Sequence, residues 1–190
     1  MISYSSTDIR IFGAFCQTTK EVSSFSEITL PKIAAHAAMT RQSLYQTYYK
    51  SVDELIKAMQ LYVDQDGQEK IKHFVSQKNK GFLKFFALEV LPLIYENRTF
   101  QAALYGDILY SGWIAYLENT YSPILEKYIQ TDSSQLLEPR YTANLVLRQI
   151  LAILSQWMRS PQPETPILFK DKFLYLMKLS PAELLNEEVL

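Results

Sequence analysis

The segment spanning residues 25–55 constrains the fold most, because its small and apolar residues recur at the spacing of two short helices joined by a tight turn. Ile33, Ala34 and Ala37 lie at positions i, i+1 and i+4, so they share one face of the first helix. The small side chains on that face would let a second helix cross close to it. The pattern therefore predicts two packed helices, with Met39 filling the space between them.

The second helix is predicted to begin after Thr40, because a threonine hydroxyl is a good N-cap. Leu44 and Tyr48, four and eight residues further on, would hold this helix to the core. Its other side chains are polar and would project outward, as those of a recognition helix do in the major groove of DNA. An ordinary solvated helix face is the alternative interpretation. The outward set is Arg41, Gln42, Ser43, Gln46 and Thr47.

An ordered set of residues extends this pattern in both directions: Ile9, Phe12, Phe15 and Cys16 on one stripe of an upstream helix, then Phe25, Thr29, Ile33-Ala34, Ala37-Ala38-Met39-Thr40, Leu44-Tyr45 and Tyr48 or Tyr49. In this order and spacing, the first third of the chain resembles the N-terminal DNA-binding domain of the TetR family of transcriptional regulators. The resemblance implies an all-α homodimer, most often a repressor, that binds a near-palindromic operator. Its helix-turn-helix domain would span residues 1–50, and a helical effector-binding and dimerisation domain residues 51–190.

The predicted DNA contacts follow from the chemistry of the outward face. Arg41 and Gln42 match the hydrogen-bonding edges of guanine and adenine. Tyrosine and lysine side chains near the end of the helix suit phosphates, and one of the tyrosines is expected in the core instead. Thr29 is expected to cap the first helix of the motif and to reach a phosphate. The full predicted set is Thr29, Thr40, Arg41, Gln42, Ser43, Tyr45, Gln46, Thr47, Tyr49 and Lys50.

Three departures from the family pattern bear on DNA contact. Ala38 occupies the turn position where a glycine is usual, which would cost roughly 1 kcal/mol if its φ angle is positive. One extra residue separates Tyr45 from the acidic pair that begins at Asp53. Val52 stands where a lysine usually contacts phosphate, and Lys50 is the candidate substitute.

Composition favours an ordered helical protein. The 190 residues include only 5 glycines, and 48% are apolar. The single cysteine excludes an internal disulfide and fits a reducing cytoplasm, and no apolar run predicts a membrane span or an export signal. The net charge is −1, and residues 1–60 carry six basic and five acidic side chains, so weak non-specific affinity for DNA is expected.

The middle of the chain is predicted to form a series of helices. Residues 53–77 are predicted to form one long helix weakened at Gly67, and residues 82–96 a second helix kinked at Pro92. Shorter helices are predicted at residues 100–109 and 112–129.

Two C-terminal helices, residues 139–158 and 167–179, carry apolar side chains around nearly their whole circumference. Such helices cannot face water in a monomer of this size, so one face would pack on the core and the other on a partner subunit. We therefore expect a homodimer formed through these two helices, as the resemblance to TetR regulators also implies.

The segment between these regions is rich in aromatic residues, whose plain interpretation is a packed helical core. The alternative is an apolar cavity with a few polar anchors. In TetR-like proteins such a cavity binds a small-molecule effector, and the resemblance implies the same here. The predicted ligand-binding residues are Phe86, Glu89, Tyr105, Trp113, Tyr116 and Arg148.

The sequence gives no support for catalysis, a metal or a cofactor. His36 and His73 lie in different segments, and no nucleophile motif or glycine-rich phosphate loop is present. Two other functions stay open: a helical protein-interaction module that has lost DNA binding, and a carrier of small molecules on the same fold. Salt-dependent DNA affinity would separate a regulator from the interaction module.

Overall fold

The computed structural model describes residues 3–129 and 137–187. Every regular element in that part of the chain is helical, which confirms the predicted all-α class. In chain order the elements are α1 (Ser6–Lys20), a 3-10 turn (Phe25–Glu27), α2 (Leu30–His36), α3 (Arg41–Ser43), a π turn (Leu44–Tyr48), α4 (Val52–Ser76), α5 (Phe82–Phe85), a second π turn (Phe86–Val90), α6 (Leu91–Glu96), α7 (Arg98–Leu104), α8 (Tyr110–Ile129), α9 (Pro139–Arg159), α10 (Pro166–Leu176) and α11 (Pro181–Leu185).

The structure divides into two compact units, each with its own core. The first unit is larger than the helix-turn-helix domain predicted at residues 1–50, because it also includes the first part of α4 together with α7. Among the described residues, the first unit comprises 3–66 and 97–113, and the second comprises 67–96, 114–129 and 137–187.

The core of the first unit is built around α1. Ile11, Phe12 and Phe15 on its apolar stripe are fully buried. The helix packs against α2 and α7. The Phe12 ring also meets Tyr62 and Phe100, with ring centroids 5.5 and 6.2 Å away. This apolar packing holds α1 against α2, the first of the short helices that follow.

The core of the second unit is rich in stacked aromatic rings. Phe86 stacks on Phe173 of α10 with centroids 5.5 Å apart. Trp157 of α9 stacks on Phe169 of α10 at 4.2 Å, and its Nε1 donates a hydrogen bond to the Glu164 carbonyl at 2.9 Å. These contacts join α9 to α10 and secure the segment that links them.

A π turn over Phe86–Val90 lies directly before Pro92, where the sequence predicts a kink. The Leu91 N–H donates to the Phe86 carbonyl, five residues earlier. Proline lacks an N–H, and its ring crowds the carbonyl four residues before it. A wider turn directly ahead of Pro92 relieves that crowding, so the helical path continues through α6.

Candidate nucleic-acid interface

The segment predicted to hold two short helices folds as α2 and α3, which pack against each other in the first unit. Ile33 and Ala37 are fully buried and Ala34 is nearly so, which confirms the predicted buried face of α2. Met39, in the turn that joins the two helices, is half-buried. The small residues of α2 thus allow the close approach that their spacing predicts.

The turn between α2 and α3 uses a left-handed residue that is not glycine. Ala38 has a φ angle of 50°. Its N–H donates to the Ala35 carbonyl at 3.2 Å, and the Met39 N–H donates to the Ala34 carbonyl at 3.0 Å. These bonds close the end of α2 and hold Ala38 in a conformation that costs a non-glycine residue about 1 kcal/mol or more.

The two predicted threonine caps differ in the structure. The Thr40 hydroxyl accepts a hydrogen bond from the Ser43 N–H at 3.0 Å, which confirms it as the N-cap of α3. Thr29 occupies the N-cap position of α2, but its side chain makes no capping bond, so that prediction is wrong. Pro31 follows in the first turn and lacks one of the N–H groups that a cap would accept from. The exposed Thr29 side chain stays available to another acceptor or donor.

The helix that begins with α3 continues as a π turn over Leu44–Tyr48. The Tyr49 N–H donates to the Leu44 carbonyl at 3.0 Å, a span of five residues. A π turn holds one residue more than an α-helical turn, so it can accommodate the extra residue expected after Tyr45 from the resemblance to TetR regulators. The prediction that Tyr48 anchors the helix is therefore wrong: Tyr48 is half-buried, and Tyr49 lies in the core beside the fully buried Leu44.

Tyr49 is fixed by the start of α1. Its hydroxyl donates to Asp8 Oδ1 at 2.7 Å, while Asp8 Oδ2 accepts from the Ser5 N–H and hydroxyl in the capping box of α1. Burial and the bond to Asp8 raise the pKa of the Tyr49 hydroxyl, so the phenol stays protonated. The prediction that Tyr49 contacts phosphate is therefore wrong, because its side chain is buried and its hydroxyl is bonded to Asp8.

Partial burial pushes the pKa of the Asp8 carboxyl upward, but hydrogen bonds from Ser5 and Tyr49 outweigh this effect and hold the pKa below its usual range. Asp8 was not among the residues predicted from the sequence. Its place three residues after Ser5 is the spacing of a capping box and could have indicated its role at the start of α1.

The outward face of this segment is polar and open. Arg41, Gln42, Gln46 and Thr47 are exposed, as is half of the Tyr45 side chain, and Lys50 is exposed just beyond the π turn. Ser43 is half-buried, and its N–H is used by the Thr40 cap. The structure therefore brings together eight of the ten predicted DNA-binding residues on one short segment, with Thr29 at the start of α2 and Tyr49 inside: Thr40, Arg41, Gln42, Ser43, Tyr45, Gln46, Thr47 and Lys50.

A polar pair ties α2 to the end of α1. His36 Nε2 lies 2.9 Å from Glu21 Oε2 at the C-cap of α1. Both residues lie outside the exposed polar face of α3. The pair adds a side-chain link to the apolar packing of α1 on α2, and sequence reasoning gave no signal for it because the partners are 15 residues apart.

The six predicted ligand-binding residues do not share one environment. Tyr105 and Trp113 belong to the first unit, where both are almost fully buried and their rings meet edge to face at 6.2 Å. Phe86 is buried in the second unit against Phe173, and Tyr116 is half-buried there. Phe86, Tyr105 and Trp113 thus fit the plain interpretation of core packing.

Glu89 and Arg148 are not buried polar anchors. Glu89 Oε2 accepts from Lys70 Nζ at 2.7 Å, and both side chains are about half exposed. Arg148 Nε donates to Glu118 Oε1 at 2.9 Å with most of the arginine exposed. Each charge lies in a surface ion pair because solvent and a partner at the surface avoid the desolvation that burial would require.

Two concavities flank α9 in the second unit. A groove of about 490 Å³ between α9 and α10 has Trp157 and Phe169 in its wall. A more polar groove of about 400 Å³ lies between α8 and α9, and Arg148 and Glu118 line it. Both lie open at the surface of the unit.

The described residues contain no group of histidine, cysteine and carboxylate side chains placed to hold a metal ion. No helix among them is both long and apolar enough to cross a membrane. The Cys16 thiol is buried on α1, and burial raises its pKa to about 12, so it is a poor nucleophile at neutral pH.

Comparison of the chain with protein-family models, with curated proteins and with solved structures returned no match.

Proposed function

We propose that this protein is a sequence-specific DNA-binding regulator that reads a near-palindromic operator as a homodimer. The observation that carries the proposal is the exposed polar face of α3 and the following π turn. Arg41 and Gln42 provide base-reading chemistry there, on a helix whose start is capped by Thr40 and whose interior is anchored by Leu44. A rigid support of this kind suits a recognition helix because base contacts need fixed side-chain positions.

Dimerisation is supported by apolar side chains that the second unit leaves open. They lie on the C-terminal helices predicted to form the subunit interface. On α9, Tyr141 and Leu145 are 56% and 50% exposed, and on α10, Ile167, Leu168 and Tyr175 are 62–73% exposed. A second copy would remove these side chains from water. Two copies related by a two-fold axis would present recognition helices about 34–36 Å apart, or a multiple of that spacing, to successive major grooves.

The charge balance sets the expected mode of binding. With a net charge of −1, the protein has little general attraction for DNA, so affinity must come from local contacts to bases and phosphates. Arg41, Lys50, Thr29 and Tyr45 are exposed and supply such contacts. We expect a regulator with a large ratio of specific to non-specific affinity.

Selection from random duplex DNA at two salt concentrations tests the proposal. We expect an enriched near-palindrome whose affinity falls as salt rises, because phosphate contacts release counterions. In the selected duplex, Arg41→Ala should weaken binding by about 1–3 kcal/mol if the arginine reads a base. Arg10→Ala, an exposed arginine on α1, is the matched control and should leave binding nearly unchanged. Equal affinity for the two variants would contradict the proposed interface.

The near-neutral charge favours a second candidate, a protein-interaction module that uses the same helices without DNA. This candidate predicts no enriched duplex from a sample shown to be folded and dimeric. A small-molecule effector that releases DNA belongs to the regulator hypothesis, and a thermal-shift screen in the presence of the selected operator would test for it.

A further inference from the structure

Two glutamine side chains on the recognition segment are paired. Gln42 Nε2 donates to Gln46 Oε1 at 3.4 Å, across one helical turn, and both side chains are exposed. A glutamine amide carries two N–H donors and one oxygen with two acceptor sites. After the pairing bond forms, Gln42 keeps one N–H and its oxygen, and Gln46 keeps both N–H groups and one acceptor site.

The π turn determines which residues accompany this pair. In an α-helix, Thr47 and Tyr48 would stack over Leu44 on its buried face, because residues three and four positions apart share a face. The extra residue of the π turn puts Tyr49 there instead, and its bond to Asp8 holds it. Thr47 is consequently exposed next to Gln46, which an α-helix would also leave exposed.

The free groups of the pair match one base in particular. In the major groove, adenine presents the N7 acceptor beside the N6 donor, whereas guanine presents two acceptors, N7 and O6. A glutamine amide can accept from N6 and donate to N7 at once. On guanine its oxygen would face another acceptor and lose its partner.

We propose that Gln42 and Gln46 act as one amide pair that selects adenines at two nearby positions of each operator half-site. This inference rests on the proposed DNA-binding function and adds the identity of the bases. The pairing bond reduces the freedom of both side chains before binding, so the two positions should be read together rather than independently.

The test is a duplex selection with the wild-type chain and with Gln42→Ala, Gln46→Ala and Gln17→Ala. The wild type should enrich half-sites with two nearby A·T pairs in a fixed orientation. Replacing either glutamine should reduce the preference for adenine at both positions by roughly 5- to 150-fold in total, which is the discrimination expected of bidentate contacts. Gln17 is an exposed glutamine on α1, and its variant should select the wild-type half-site.

The outcomes separate the two proposals. If the wild type enriches no duplex, the DNA-binding function and the amide pair both fail. If it enriches a half-site that Gln42→Ala and Gln46→Ala leave intact, the function stands and the adenine inference is overturned.

Discussion

At the scale of single residues, the Asp8 carboxylate has two structural roles. One oxygen completes the capping box of α1, and the other accepts from the Tyr49 hydroxyl at 2.7 Å, 41 residues away in the chain. Tyr49 in turn closes the π turn through its N–H. The end of the proposed recognition segment therefore depends on the start of the first helix.

Tyr49→Phe should lower the free energy of unfolding by about 0.5–1.5 kcal/mol, because it removes a hydrogen bond to a partly buried carboxylate. Urea unfolding followed by circular dichroism measures the difference. Tyr48→Phe is the matched control, since the neighbouring Tyr48 is half-buried and no hydrogen bond of its hydroxyl is present within the described part of the chain. Equal losses in the two variants would contradict the role given to Asp8.

The hydrogen bond between Tyr49 and Asp8 also makes the free energy of unfolding depend on pH. Because hydrogen bonds lower the pKa of Asp8 in the folded state, its contribution is fully present above the unfolded value of about 3.9 and is lost as pH falls through the folded pKa. Tyr49→Phe should reduce this loss below about pH 4, because the folded pKa moves back toward its usual range. Urea midpoints at pH 3 and pH 6 provide the comparison, and an identical pH dependence in wild type and variant would exclude this linkage.

Ala38→Gly should stabilise the protein by about 0.5–1 kcal/mol, because glycine adopts a φ of 50° without the penalty that alanine pays. The gain is smaller than the full penalty since glycine also loses more chain entropy on folding. Ala35→Gly, at an exposed site within α2, should instead destabilise by about 1 kcal/mol. The midpoint of thermal unfolding should therefore rise for Ala38→Gly and fall for Ala35→Gly. A shift of both midpoints in the same direction would contradict the strain assigned to Ala38.

At the scale of helices, the sequence predicted most elements but not their local geometry. The spacing of Ile33, Ala34 and Ala37 correctly indicated the buried face of α2, because the α-helical period determines which residues share a face. The same period failed after Leu44, where a π turn replaces it. The resemblance to TetR regulators predicted one extra residue before Asp53, but it did not indicate whether a loop or the helix itself would contain it.

Contacts between residues far apart in the chain were the second reason why predictions from the sequence differed from the structure. Tyr48 and Tyr49 are adjacent and chemically identical, but the π turn places Tyr49 on the buried side, where its hydroxyl bonds to Asp8 of α1. Similarly, Glu89 and Arg148 lie within apolar runs, so the sequence allowed either a polar anchor in a cavity or a surface residue, and the structure places both at the surface with ion-pair partners. Such choices depend on tertiary contacts that neither periodicity nor composition contains.

Gly67 lies in the middle of α4, where glycine is unfavourable. A Cβ atom there would meet Val90 at 3.8 Å and the Tyr121 hydroxyl at 3.9 Å, which is ordinary van der Waals contact. Gly67→Ala should therefore stabilise the protein by up to about 1 kcal/mol. Gly81→Ala should instead destabilise the protein, because Gly81 has a φ of 83°, which is unfavourable for alanine. Urea unfolding tests both, and a destabilising Gly67→Ala would mean that the helix cannot accept the added methyl group.

At the scale of the whole molecule, the proposed dimer depends on the open apolar side chains of α9 and α10. The sequence predicted both helices as apolar all round, and the structure buries one face of each. The side chains that remain exposed, such as Leu145 and Ile167, are those that a partner would cover. Their exposure is the structural basis for the proposed partner.

Leu145→Asp and Ile167→Asp should each convert a dimer into a monomer of 22.1 kDa, because a partner would bury the new charge without a counterion. Sedimentation velocity measures the mass directly. Leu61→Asp places the same change on an exposed leucine of α4 in the first unit and should leave the mass unchanged. A wild-type chain that sediments as a monomer would refute the proposed interface.

The two tryptophans of the chain fall one in each compact unit. Trp113 is buried in the first unit beside Tyr105, and Trp157 is buried in the second against Phe169. Each unit thus contains its own fluorophore. Replacing one tryptophan with phenylalanine leaves an optical probe that reports on the other unit alone, so the emission of the two single-tryptophan proteins reveals whether the units lose their structure in one cooperative transition or in two.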